Sequence, residues 1–315
     1  MNAFVAGTRG SALALWQTRK VISLLEHRTK GNPPIGERVI TTQGDTSLAD
    51  RLVGQLEKGF FTQELEAALH ERSVQLAVHS LKDLPTRMPA GLVLGAVLER
   101  ASPWDMLLMR PEAMKFSAGS PLPLAPGARI GSSSLRRAAQ LERFAPGSVS
   151  VPLRGNVPTR VEKLRAGQYD GILIAAAGIQ RLGLSLEGLA VFRLDPRIWT
   201  PAPGQGAIGV QCREDDADTR ALLGLIHHQD TARAVTLERD LLRVFEGGCS
   251  TPFGCYVEDA DVWVGLQAHG RWRAARWAAP DAAAGNPDWE HKLGALSAPD
   301  FTELPHGIDP ICSRI

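Results

Sequence analysis

The 315-residue chain has no apolar run near the roughly 18 residues that a membrane-spanning helix needs. Its start, MNAFVAGTRG, lacks a basic segment followed by a signal-like apolar stretch. A cytoplasmic location without a membrane partner is therefore expected. Cysteine is scarce: Cys212, Cys249, Cys255 and Cys312 lie apart except for one C-x5-C pair, which fits neither a zinc spacing nor a redox C-x-x-C. No metal is expected, and reduced thiols are the default. The formal net charge of +1 argues against a general nucleic-acid binder. No G-x-x-x-x-G-K-[ST] loop occurs and no G-x-G-x-x-G follows a strand, which weakens a nucleotide reading. Internal repeats and low-complexity tracts are also lacking.

What is present is 44% hydrophobic content, enough for a sizeable core shared among two or three domains. Short β-branched runs (FVAGT, ERVITT, VQLAVH, LVLGAVL, MLLMR, ARIGSS, SVSVPL, GILIAA) alternate with helical patterns at 11–29, 62–72, 133–144, 156–166 and 176–182. That rhythm predicts an α/β protein. Two proline-bearing joints, LERASPWD at 98–105 and LDPRIWTPAPGQG at 194–206, bracket a middle block and read as a paired crossover. The expected domains are 1–99 with 200–217, then 100–199, then 218–315, with ligand bound between the first two. The third is expected to be small and α+β: helices near 218–228 and 231–246, then the strands CYVED, VWVGLQAH and RWRAARWAA. The tail from 279 onward has weak periodicity and yields no element.

Candidate chemistry gathers where strands end. AVHSLKDLP runs an apolar strand into His79, Ser80, Lys82 and Asp83 before Pro85 stops it. Asp83 is either a turn cap or an ionised carboxylate facing a cation, kept charged by its lysine neighbour. Arg9, Arg136, Arg137, Arg154, Arg160 and Arg181 recur at loops and helix starts, with Ser11, Ser133 and Ser134 beside helix N-termini that favour anions. One exposed arginine is an ordinary surface charge. A set of them suggests a ligand with many carboxylates, since guanidinium and carboxylate pair in two-pronged geometry; a phosphate ligand also fits. In EGGCSTPFG, Cys249 follows Gly247 and Gly248, which permit positive φ or a close backbone approach. It reads either as a small apolar cysteine after a helix cap or as a thiolate with a covalent role.

The segments GTRGSALALWQ, KGFFTQELE, AVHSLKDLP, GSSSLRRAAQL, LRGNVPTRVEKL, GILIAAAGIQRLG, PAPGQGAIGVQCR and FEGGCSTPFG, in this order, resemble the porphobilinogen deaminases, or hydroxymethylbilane synthases, from residue 3 to about 256. The resemblance implies two periplasmic-binding-protein-like (type II) α/β domains with crossover connections plus a small α+β C-terminal domain. It implies a transferase that joins four porphobilinogen molecules head to tail with release of ammonia, on a dipyrromethane primer held by a thioether to Cys249, and then frees hydroxymethylbilane by hydrolysis. Asp83 matches the family's catalytic aspartate. Arg9, Ser11, Gln17, Lys82, Ser133, Ser134, Arg136, Arg137, Arg154, Arg160 and Arg181 match cofactor- and substrate-binding positions, and Lys58 matches a basic residue of a covering lid. Neither metal nor nucleotide is implied, and a monomer is expected. Gln63 stands where a lysine is common, and past about residue 257 the match ends, with the family's usual last helix missing from GALSAPDFTELPHGIDPICSRI. The rival reading is a non-catalytic or degenerate two-lobed binding protein for an acidic small molecule; the presence of both Asp83 and Cys249 weighs against it.

Overall fold

The computed structural model describes residues 4–42, 62–116, 121–245, 252–280, 288–298 and 312–314. In chain order these form β1 (Phe4–Thr8), α1 (Ala12–Thr29), β2 (Ile35–Val39), α2 (Gln63–His70), β3 (Leu76–Ser80), β4 (Leu92–Val97), β5 (Asp105–Met109), β6 (Arg129–Gly131), α3 (Leu135–Phe144) and β7 (Val149–Val151). There follow α4 (Val157–Arg165), β8 (Gly171–Ala175), α5 (Ala176–Leu182), β9 (Ala190–Leu194), β10 (Ile208–Arg213), α6 (Ala217–Gly224) and α7 (Gln229–Phe245). The chain ends in β11 (Phe253–Glu258), β12 (Asp261–Ala268), β13 (Arg271–Ala278), α8 (Trp289–Ser297) and β14 (Cys312–Arg314).

Contacts divide the chain into two compact units, one of Met1–Ser102, Gln180–Leu182 and Gly204–Arg233, the other of Pro103–Ile179, Gly183–Pro203 and Ala234–Ile315. Each is built on a mixed sheet, and the two sheets share one plan. The first has the order β2-β1-β3-β10-β4, with β1 parallel to β2 and β3, and β10 antiparallel to both its neighbours. In the second, β7-β6-β8-β5-β9 repeats that order, with β6 parallel to β7 and β8, and β5 antiparallel to β8 and β9. In each sheet the antiparallel strand is the one the chain enters on crossing over, β5 after the first proline-bearing joint and β10 after the second. This is the expected α/β architecture with crossover connections.

Both faces of the second sheet are buried. Along β5, Leu107 and Met109 point into one cluster with Ile130, Leu173 and Trp199, while Met106 and Leu108 point into another with Ile172, Val161 and Ile179. Two-sided burial explains why MLLM and GILIA read as unbroken apolar runs. In the first unit Leu76 and Val78 face α1 residues Val21 and Leu25, while Ala77 faces α2 residues Leu65 and Leu69.

The three-stranded sheet β11-β12-β13 is an antiparallel meander within the second unit and packs against α3. His269 and Gly270 both have positive φ in its second hairpin, as a tight primed turn requires. The tail departs from the sequence reading: α8 is present and buries Trp289, Leu293 and Leu296 against Val262, Val264 and Leu266. Its apolar positions recur at i, i+4 and i+7, one helical stripe within nine residues. The short span between loop-like flanks hid it. Arg273 of β13, itself buried, donates to the carbonyls of Leu296 and Ala298 and so satisfies the end of α8. β14 adds a further strand beside β9.

Candidate functional site

In the first unit the segment LAVHS is buried until Ser80, and a 3-10 turn, Leu81–Asp83, follows at once. Leu84 N donates to Leu81 O at 3.2 Å, so residues 81 and 84 share a side and are both buried, while Lys82 and Asp83 project as exposed residues. The glycine-containing end of the second joint holds this turn. Leu81 N donates to Ala207 O at 3.1 Å, and a Cβ on Gly204 would lie 3.2 Å from Leu81 Cγ. Lys82 Nζ lies 3.5 Å from Gln205 Oε1 of the same joint.

Gln17, buried on α1, donates from Nε2 to Ser80 Oγ at 2.9 Å. Ser11 caps α1, its hydroxyl accepting from Ala14 N at 3.3 Å. His79 is buried and its ring is held neutral: burial first, and the positive charge of Arg9, push its pKa down to about 4, with the nearby Gln211 side chain opposing the shift. Arg9 itself is half-buried. Arg181 stacks over the Trp16 ring, 5.8 Å to its centroid, and donates from Nη2 to Gly206 O at 2.6 Å. Burial lowers its pKa to about 10, which leaves it charged.

In the second unit the arginines take different stations. Arg136 and Arg137 open α3 behind the Ser134 cap, whose hydroxyl accepts from Arg137 N at 3.4 Å. Both guanidiniums turn inward to one carboxylate: Arg136 Nη2 is 2.9 Å from Asp105 Oδ2 and Arg137 Nη2 is 2.6 Å from Asp105 Oδ1. Burial pulls the Arg136 pKa below its ordinary value, and Asp105 opposes that shift. Ser133 Oγ donates to Leu153 O at 2.9 Å and accepts from Leu153 N at 3.1 Å, pinning the α3 entry to the strand that leads to Arg154. Arg154 is half-buried. Arg160 donates from Nε to Gly155 O at 2.7 Å.

Six of the sequence-derived positions thus lie in the first unit (Arg9, Ser11, Gln17, Lys82, Asp83, Arg181) and six in the second (Ser133, Ser134, Arg136, Arg137, Arg154, Arg160). Cys249 and Lys58 lie outside the described residues. Cys212 and Cys255 are buried, and burial drives the Cys212 pKa up to about 11, which makes it a poor nucleophile. Among the described residues no group of His, Cys, Asp and Glu side chains is arranged to hold a metal ion, and no helix is long and apolar enough to cross a membrane. Sequence reasoning missed Asp105. Its signal was a lone carboxylate heading the apolar strand MLLM, a placement that burial penalises unless cations meet it.

Residues 4–221 match the model of the porphobilinogen deaminase dipyromethane cofactor binding domain, and residues 232–268 that of the porphobilinogen deaminase C-terminal domain. A porphobilinogen deaminase of Desulforamulus reducens is 46% identical over 259 residues, covering 82% of this chain and 80% of that protein. One from Carboxydothermus hydrogenoformans is 44% identical over 256 residues, covering 81% and 79%. Both relatives extend across the Asp83 turn, the arginine pair and the two proline-bearing joints, and this chain belongs to the porphobilinogen deaminase family.

Proposed function

We propose that this chain is a hydroxymethylbilane synthase that condenses four porphobilinogen molecules stepwise on a dipyrromethane primer attached to Cys249, with Asp83 as the catalytic carboxylate. The observation that carries the site reading is the exposed Asp83 carboxylate at the exit of a buried strand, set there by the Leu81–Asp83 turn, inside the segment that matches the cofactor-binding family model.

The donor set fits a polycarboxylate primer. Arg136 and Arg137 bring two positive charges to one carboxylate, and Arg137 Nε is buried with no acceptor among the described residues. Such an N–H calls for an acceptor, and a carboxylate is the strongest one a guanidinium can meet. Arg154 and Arg160 supply further guanidiniums from the same unit, and Ser133 and Ser134 hold the α3 N-terminus that presents backbone N–H groups. Arg9, Ser11, Gln17, Lys82 and Arg181 serve the first unit in the same way, Gln17 through its hold on Ser80. When bound, the dipyrromethane supplies the nucleophilic ring carbon to which the first substrate is joined.

Asp83 acts on the incoming porphobilinogen. Loss of ammonia from the aminomethyl group leaves a methylene cation conjugated with the pyrrole ring. A carboxylate about 4 Å away stabilises such a cation by on the order of 4 kcal/mol at an effective dielectric near 20. The same oxygens would accept from the pyrrole N–H and take up the ring proton whose loss, after the C–C bond forms, restores aromaticity. Lys82 neutralises substrate carboxylates. Lys58 belongs to the covering loop on this reading. Residues 1–99 with 200–217 form the domain bearing Asp83, 100–199 the arginine-rich domain and 218–315 the domain bearing Cys249. The protein works as a cytoplasmic monomer on a small molecule, without nucleic acid or membrane, in keeping with its net charge of +1.

Intact-protein mass spectrometry tests this. Chain made in a porphobilinogen-producing host carries the added mass of two pyrrole units, and Cys249→Ser lacks it. An unmodified mass in the parent chain that persists after incubation with porphobilinogen overturns the assignment and favours a binding protein.

A further inference from the structure

The proposed function uses Arg136 and Arg137 but leaves unexplained the acid that holds them. Asp105 is wholly buried at the head of β5 and accepts from at least three donors: Arg136 Nη2 at 2.9 Å and Trp199 Nε1 at 3.1 Å on Oδ2, and Arg137 Nη2 at 2.6 Å on Oδ1. Each arginine finishes on a backbone carbonyl, Arg136 Nη1 on Thr200 O at 2.7 Å and Arg137 Nη1 on Leu173 O at 3.1 Å. Both guanidinium planes are thereby fixed at two points.

The charge count separates this cluster from an ordinary buried ion pair. A structural pair balances one cation with one anion, because an uncompensated buried charge is costly. Here two guanidiniums share one carboxylate, and each arginine's further hydrogen-bond acceptor among the described residues is a neutral backbone carbonyl. One positive charge is left over in a buried setting, and Arg137 Nε is the N–H that no described residue satisfies. Adjacent buried arginines repel each other unless an anion lies between them, which is where Asp105 stands.

We propose that Asp105 is a positioning residue for the reaction: its carboxylate clamps Arg136 and Arg137 side by side while leaving one positive charge of the pair to meet a carboxylate arm of the primer or growing chain. It does not touch the reacting atoms, since both its oxygens are occupied and it has no exposed surface. A second consequence follows from Thr200. Its carbonyl takes Arg136, and its hydroxyl oxygen would lie 2.6 Å from a Cβ placed on Gly254 of β11. The clamp is thus continuous with the strand that follows the Cys249 segment in sequence. This inference rests on the reading of Arg136 and Arg137 as carboxylate ligands.

The test uses the full chain from a porphobilinogen-producing host. Asp105→Asn keeps the size and an acceptor for Trp199 but removes the charge. It is expected to lower the fraction of chains carrying the two-pyrrole adduct and to raise KM of the adduct-bearing fraction by about tenfold, the scale of one charge-assisted hydrogen bond, with kcat changed less. Asp105→Glu restores the charge and recovers part of the KM. A folded Asp105→Asn protein with parental adduct content and KM overturns the proposal if Arg137→Gln loses both. If Arg137→Gln also changes neither, the carboxylate-ligand reading itself fails. Should Asp105→Asn not fold, the charge-compensated Asp105→Asn/Arg136→Gln is compared with Arg136→Gln alone. A KM at least about tenfold higher in the double variant supports the clamp, and equal KM values sink it.

Discussion

Gln17 and Ser80, 63 positions apart, hydrogen-bond side chain to side chain, with Gln17 Nε2 2.9 Å from Ser80 Oγ. The pair ties the buried face of α1 to the last residue of β3, three residues before Asp83. Gln17→Leu fills the space but leaves Ser80 without that partner. The expected result is a stability loss of about 1 kcal/mol in urea titration, together with a fall in kcat, because the turn that aims Asp83 loses a fixed point. A variant that loses stability while keeping parental kcat shows that the pair supports the fold alone.

Asp83→Asn keeps the shape of the turn and removes its charge. If the carboxylate stabilises the substrate-derived cation, turnover falls by about 10²–10³-fold, the cost of losing one electrostatic stabiliser, while the adduct mass on Cys249 persists. Single-turnover measurements on adduct-bearing protein decide this. Near-parental rates remove Asp83 from the chemistry.

Much of this was legible in the sequence because burial and turn chemistry write local signals. MLLM and GILIA are apolar without alternation, which two-sided burial demands, and the two proline-bearing joints fall where the chain changes sheets. The Asp83 turn was readable from an apolar strand meeting Lys-Asp-Leu-Pro. Asp105 was not, because its meaning depends on Arg136 and Arg137, 31 and 32 positions later, and on Trp199, 94 positions later. Spacing in sequence carries no trace of such a cluster. The helix α8 was hidden for a related reason: its three apolar positions gain significance only from the third sheet they pack on.

His79 gives a pH signature. Its folded-state pKa is pushed down to about 4 from 6.5, so between these values the unfolded chain binds a proton that the folded one does not. Stability therefore rises with pH across that window, is fully present above about 6.5 and is lost on acidification towards 4, by on the order of 3 kcal/mol for a fully buried group. His79→Gln cannot take up that proton and is expected to flatten the stability profile between pH 6.5 and 4 in urea titrations. An unchanged slope assigns the acid sensitivity to other groups.

Gly254 is the place where the third sheet meets the segment that leaves the arginine clamp. A Cβ there would lie 2.6 Å from Thr200 Oγ1, 2.7 Å from Thr200 O and 3.0 Å from Pro201 O, and two of these are backbone atoms that cannot swing aside. The neighbouring Cys255 N donates to Pro201 O at 3.0 Å, so β11 and the Thr200–Pro201 segment are held in register at the same spot. Gly254→Ala must therefore push β11 off Thr200 or displace the Thr200 carbonyl from Arg136. A loss of about 1–3 kcal/mol is expected from overpacking, along with a reduced fraction of chains carrying the adduct on Cys249, five residues upstream in sequence. Thr200→Ala relieves only the hydroxyl contact, and the double variant Gly254→Ala/Thr200→Ala is expected to recover part of the stability but not all, because the carbonyl contacts remain. Complete recovery would place the whole clash on the hydroxyl and leave the backbone register without a part in it.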